Sequence, residues 1–203
     1  MAINMALKRF KKAQRRKQQV AEKRKAEALG GSLPMRVRKA AQAPIACCLL
    51  TASLFEGGMG TLTLARGHGH FAVGSFLLDV WCLGIKDVMF KSVDADALDV
   101  MVAALGASAP TETVDPSYAR KLLRELAAWS QSIGFAPPVD FALVEALFGD
   151  VDANASDATF QFGHEGKPYY IPGPSESPAL IQRRIEQLRR NLGDDGFALE
   201  HAA

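Results

Sequence analysis

From residue 71 to residue 85 the chain runs Phe71, Ala72, Val73, Gly74, Ser75, Phe76, Leu77, Leu78, Asp79, Val80, Trp81, Cys82, Leu83, Gly84, Ile85, with Asp79 its one formal charge. Read as a strand, one face carries Phe71, Val73, Leu77 and Trp81, and the other Ala72, Phe76, Leu78 and Val80. Both faces are mostly apolar, so both need cover, which is the pattern of a central strand. The β-branched and aromatic content favours a strand over a buried helix. A bilayer crossing takes about 20 apolar residues. This run is shorter and carries an acid near its middle, so no membrane span is expected.

The pattern on either side predicts the remaining elements. Pro44 opens an apolar run over residues 44–54 that reads as a buried strand. Residues 56–60, with three glycines, read as a flexible turn. Residues 61–66 alternate as a second strand, and Gly67, His68, Gly69 and His70 form the hairpin loop into the organising run. After Gly84, residues 85–90 are read as a helical turn carrying Lys86 and Asp87. A helix follows over residues 96–105, capped by Asp94 and ended by Gly106, and then a polar loop over residues 107–114. Asp115 and Pro116 open the best-defined helix, with Ala119, Leu122, Leu123, Leu126, Trp129 and Ile133 on its buried face. A short helix from about Asp140 ends at Gly149. Residues 159–162 and 168–171 are read as a second hairpin, with Phe160, Phe162, Tyr169 and Tyr170 on its strands. Ser177 and Pro178 start a last helix whose Ile181, Ile185, Leu188 and Leu192 face inward. Beyond Gly193 the tail is expected to be loosely held, with Phe197 docking back.

Strands come early, helices in the middle, and a hairpin with a helix at the end. This order predicts an α+β fold, an antiparallel-rich sheet centred on residues 61–83 and covered by helices. Residues 41–203 are taken as a single globular domain.

Charge changes the picture at the front of the chain. Residues 1–40 hold 13 Lys and Arg against 2 Glu, a net +11, whereas the other 163 residues hold 11 against 20 acids, a net −9. Residues 4–29 contain no Gly or Pro and read as one long, polar helix, stopped by Gly30 and Gly31. It is a basic helical arm with too thin an apolar stripe to be core. Its cations are Lys8, Arg9, Lys11, Lys12, Arg15, Arg16, Lys17, Lys23, Arg24 and Lys25, and a second patch follows at Arg36, Arg38 and Lys39. Clustered cations neutralise phosphates and release counterions, giving affinity without sequence selectivity. RNA or another polyanion is therefore the expected partner, reached through these residues.

Two other functions compete with that reading. An unpaired carboxylate in an apolar setting is costly, so Asp79 needs a partner. Its role is either to tie the sheet to the following turn, or to act in a small hydrolase-type or metal-dependent enzyme with Lys86 and Asp87 as catalytic companions. The third reading is a protein-interaction module in which the acidic body holds its own arm. No GxSxG, Walker A, HExxH or GxGxxG motif occurs. His68 and His70 lack a third ligand nearby, and Asp150, Asp152, Asn154 and Asp157 match only the start of a calcium loop. No cofactor and no metal are expected. Cys47, Cys48 and Cys82 are odd in number and lack CxxC spacing, which predicts reduced thiols. The basic start is not followed by an apolar h-region, so a cytoplasmic protein without a secretory signal is expected.

Overall fold

A computed structural model describes residues 31–200 of the chain. Strands β1 (Ile45–Thr51), β2 (Met59–His68), β3 (His70–Asp79), β4 (Gly84–Asp94) and β5 (Thr111–Thr113) form an antiparallel sheet in the order β4-β3-β2-β1-β5. Helices α1 (Leu33–Ala40), α2 (Leu54–Gly57), α3 (Ala95–Ser108), α4 (Pro116–Ser132), α5 (Phe141–Glu145) and α6 (Pro178–Leu192) surround it. Two short strands, β6 (Tyr169–Tyr170) and β7 (Ala198–Leu199), pair in parallel beside it. The chain is an α+β protein with an antiparallel sheet, as the pattern predicts. No helix among the described residues is long and apolar enough to cross a membrane.

The alternation of β3 sorts its side chains as expected. Ala72, Phe76 and Leu78 enter the main core, where they meet Leu62 and Leu64 of β2 and Leu122, Leu123 and Leu126 of α4. On the opposite face Val73 packs with Ala65 and with Leu98 of α3. The cover on this second face is partial, since Leu77 further along it is 36% exposed. A third cluster joins Cys82, Leu83, Tyr170, Leu188 and Phe197, and docks α6 and the tail onto the turn after β3.

Several expectations need correction. The organising run is not one strand: it stops at Asp79, turns over residues 80–83 and resumes at Gly84. Residues 85–90 are not helical. They belong to β4, which pairs with β3 from Asp79↔Gly84 to His70↔Asp94 around a bulge between Leu77 and Leu78. The reason is that a buried strand must satisfy its N–H and C=O groups on both sides, and β2 meets only one side of β3. The loop over 107–114 contains the edge strand β5, held on β1 through Leu49↔Thr113 and Thr51↔Thr111. The second hairpin is reduced to one antiparallel bridge, His164↔Lys167, and residues 159–162 do not pair with 168–171. Gly163 donates its N–H to Val80 (2.8 Å) and Tyr169 donates to Trp81 (2.9 Å), so this segment binds the β3–β4 turn instead. The tail is correspondingly held, with Phe197 buried and β7 paired to β6. The flexible turn expected at 56–60 is split between the end of α2, closed by Gly58 in the left-handed region, and the start of β2 at Met59.

The predicted helix over residues 4–29 lies outside the described residues. The second basic patch lies on α1, which Pro34 opens and whose last turn carries Arg38 and Lys39.

Candidate functional site

Asp79 closes β3. Its Oδ1 accepts the backbone N–H groups of Cys82 (2.8 Å) and Trp81 (3.1 Å), the self-bonding turn at which Asp side chains excel. The residue is 5% exposed. Burial pushes its carboxyl above the ordinary carboxylate range. The N–H groups of Cys82 and Leu83, the charge of Lys86 and the N–H of Trp81 pull in the other direction without reversing it.

Lys86, on β4, lines the same pocket of about 210 Å³, with Met59, Trp81, Tyr169 and Pro172 as neighbours. Trp81 is fixed by its Nε1–H, which donates to the carbonyl of Phe55 (3.2 Å). Its ring lies over Gly58, where any Cβ would collide with it. Lys86 Nζ stands 3.8 Å from Glu176, which also pairs with Arg184 and accepts the Tyr170 hydroxyl. Burial alone would raise the Glu176 carboxyl. The hydrogen bonds from Tyr170 and Arg184, then the charges of Arg184 and Lys86, hold it below its ordinary value.

The fold thus brings Asp79 and Lys86 to one pocket but not Asp87, which is exposed and accepts the N–H of Val88 (2.9 Å). Cys82 is fully buried, and burial, then the Asp79 charge, pushes its thiol far above the usual range. His164 comes to this end of the sheet, edge-on to Trp81 at 4.5 Å, while His68 sits at the other end.

These contacts make Asp79 first an acceptor for a turn. Asn in its place keeps an acceptor oxygen, so Asp79→Asn is expected to melt close to the wild type. Asp79→Ala strands buried N–H groups, at about 1–3 kcal/mol. The pH dependence has a definite sign. A carboxyl raised in the folded state makes the native protein bind that proton more tightly than the unfolded chain. Stability from this group therefore falls as pH rises from the ordinary carboxylate range through the raised value. That component disappears in Asp79→Asn, so wild type minus Asp79→Asn should be most favourable at acid pH. Thermal melts from about pH 3 to pH 8 check both points, and equal losses in the Asn and Ala variants would refute the acceptor role.

A second site lies toward the opposite end of β3, about 24 Å away at the rise of a strand. Arg66, Ala72 and Ser92 stand side by side on β2, β3 and β4. With α1 they enclose a groove of about 760 Å³. Small Ala72 between the larger Arg66 and Ser92 leaves the depression. From α1, Arg36 donates to Ser92 Oγ (2.7 Å), and its guanidinium carbon lies 5.3 Å from the centre of the Phe90 ring. Lys39 also lines the groove, while Arg38 is exposed and does not.

Arg66 is 5% exposed. Its Nη1 donates to the carbonyls of Ala41 (2.6 Å) and Ala43 (2.7 Å), and its Nη2 to that of Phe148 (2.7 Å). The acid it pairs with, Asp150, is 3.8 Å away and 99% exposed. Its Nε–H has no partner among the described residues.

Of the thirteen cations singled out in the sequence, Arg36, Arg38 and Lys39 are described, and the ten from Lys8 to Lys25 lie outside the described residues. Sequence reasoning missed Arg66. The available signal was a cation ending an alternating apolar strand just before a glycine. Aromatics of the expected second hairpin pack against the body. Phe160 packs on Tyr118 (5.1 Å) and Phe162 on Trp129 (5.4 Å), and Tyr170 is fully buried. Asp152 accepts the N–H of Asn154 (2.9 Å). Among the described residues no three His, Cys, Asp or Glu side chains gather as a metal-holding group. Comparison with protein-family models, with curated proteins and with solved structures finds no match to this chain.

Proposed function

We propose that this is a nucleic-acid-associated protein that engages RNA through the basic residues of positions 1–40. The carrying observation is the charge split, +11 in those residues against −9 in the rest. The position of α1 supports it. That helix continues the basic segment onto the sheet and turns Arg36 and Lys39 toward a groove that already holds Arg66. An acidic body repels a polyanion, so contact concentrates on the arm and on this groove.

The enzyme reading has less support. The pocket at Asp79 unites a carboxyl and an amine, but backbone N–H groups bond the carboxyl's Oδ1 and Glu176 faces the amine. The arm–body reading rests on the same charge split and differs in its outcome.

The test is anisotropy of labelled single-stranded RNA and duplex DNA with the full chain across a salt series. Contact with about six to ten phosphates gives a log–log slope of about −5 to −9 on the duplex and about −4 to −7 on a single strand. A variant with Lys11, Lys12, Arg15 and Arg16 changed to Gln should lose about 3 of the single-strand slope. Absence of binding at low salt would sink the proposal. Tighter binding by the variant would mean that the body's acids hold the arm.

A further inference from the structure

Three features of the groove go together. First, a buried guanidinium lies in its wall. Arginine stays charged in proteins, and the acid paired with Arg66 among the described residues is fully solvated, so three carbonyl dipoles and no buried carboxylate face its charge. Its Nε–H is moreover a buried donor without an acceptor among the described residues, a state that native proteins rarely leave unexplained. Second, Arg36 donates one of its five N–H groups to Ser92, which leaves others for an incoming anion. Third, the same Arg36 lies against the Phe90 ring, so a flat cationic plane backed by an aromatic ring borders the space. Charge for an anion and a plane for a flat ring thus meet at one residue.

We propose that this groove is a binding site for a nucleotide unit, a phosphoryl group held by Arg36 and Lys39 over the field of Arg66, with its base stacked on the Arg36–Phe90 pair. The proposal rests on the RNA reading above and assigns the step beyond simple charge neutralisation to this place. A volume of about 760 Å³ lies within the usual range for small-ligand sites, roughly 300–1,000 Å³. Bases stack on guanidinium planes as well as on aromatic rings, and such stacking is tolerant of sequence. The nucleotide unit belongs either to a strand or to a free nucleotide, and the experiment separates these sources.

The full-length protein is titrated against a labelled ten-residue oligouridylate, against the same backbone with abasic sites, and with unlabelled uridine monophosphate as competitor. Arg36→Gln should weaken the oligouridylate and lower the salt slope by about 0.7. Arg36→Lys keeps the charge but not the plane. It should keep the slope, lose about fivefold or more on oligouridylate, and match the wild type on the abasic strand. Phe90→Leu should behave like Arg36→Lys, and Phe90→Tyr should restore binding, which shows that a folded groove is being read. Competition by the monophosphate identifies a free-nucleotide site, and its failure to compete identifies a strand site. Wild-type affinity and slope in Arg36→Gln and Phe90→Leu overturn the groove. If the arm variant alone loses binding, the arm reading stands without it. If the wild type binds neither oligomer nor monophosphate, both readings fall together.

Discussion

Replacing Arg66 by Met is expected to cost more than about 3 kcal/mol of stability, because it orphans three carbonyls at once. The guanidinium joins the end of α1, the approach to β1 and the turn after α5, through Ala41, Ala43 and Phe148. A thioether fills much of the volume but donates nothing. For a chain of this size the melting temperature should drop by roughly 6–12 °C. Arg66→Lys should fall between the two, since one ammonium cannot reach carbonyls served by two separate nitrogens. Asp150→Asn should change stability by less than about 1 kcal/mol, as its carboxylate is in open water. Melting and urea unfolding check the order. A Met variant melting within about 2 °C of the wild type would show that these bonds do not hold the elements together.

Gly84→Ala should be comparably damaging for a different reason. Gly84 starts β4 with φ +73, a conformation that L side chains resist. A Cβ there would fall on Ser130 of α4, overlapping both its Oγ and its rigid Cβ. The left-handed backbone costs about 1–2 kcal/mol and overpacking about 1–3 kcal/mol, for a total loss of roughly 2–5 kcal/mol. Ser130→Gly removes the obstacle but places Gly in a helix, at about 1 kcal/mol. The double variant should nevertheless be more stable than Gly84→Ala alone. A coupling above about 1 kcal/mol in the double-mutant cycle would establish the contact, and simple additivity would dismiss it.

Both residues sit where elements distant in the chain converge, and the sequence was least legible there. Helix α4 could be read directly. Asp115 accepts the N–H of Ser117 (2.7 Å), Pro116 follows, and the leucines repeat at helical spacing. The Asp94 cap on α3 and the Ser177 cap on α6 were equally visible, because a cap acts within three residues. Strand β4 was not legible. Lys86 and Asp87 interrupt its apolar run, and its conformation comes from the open side of β3 rather than from its own residues. The alternating stretch 159–162 is not a strand for the same reason. Its partners are Phe55, Tyr118 and Trp129, and none of them lies near it in the chain.

The candidate sites divide in the same way. The apolar run around Asp79 announced a buried carboxyl, and that carboxyl is buried. Its bond partners lie only two and three residues ahead, but they become partners because the strand stops there. The groove had no local signal, since Arg66 reaches carbonyls 23, 25 and 82 residues away.

By itself the sequence determined the α+β class, the capped helices, the apolar faces of β2 and β3, and the contrast between a basic front and an acidic body. These depend on composition, periodicity and contacts within a few residues. Tertiary structure alone decided that the organising run breaks at Asp79, that β4 and β5 complete the sheet, and that Arg36, Arg66 and Phe90 line one groove. Those outcomes require hydrogen bonds and charges to be satisfied between segments far apart in the chain, and only folding makes such segments neighbours.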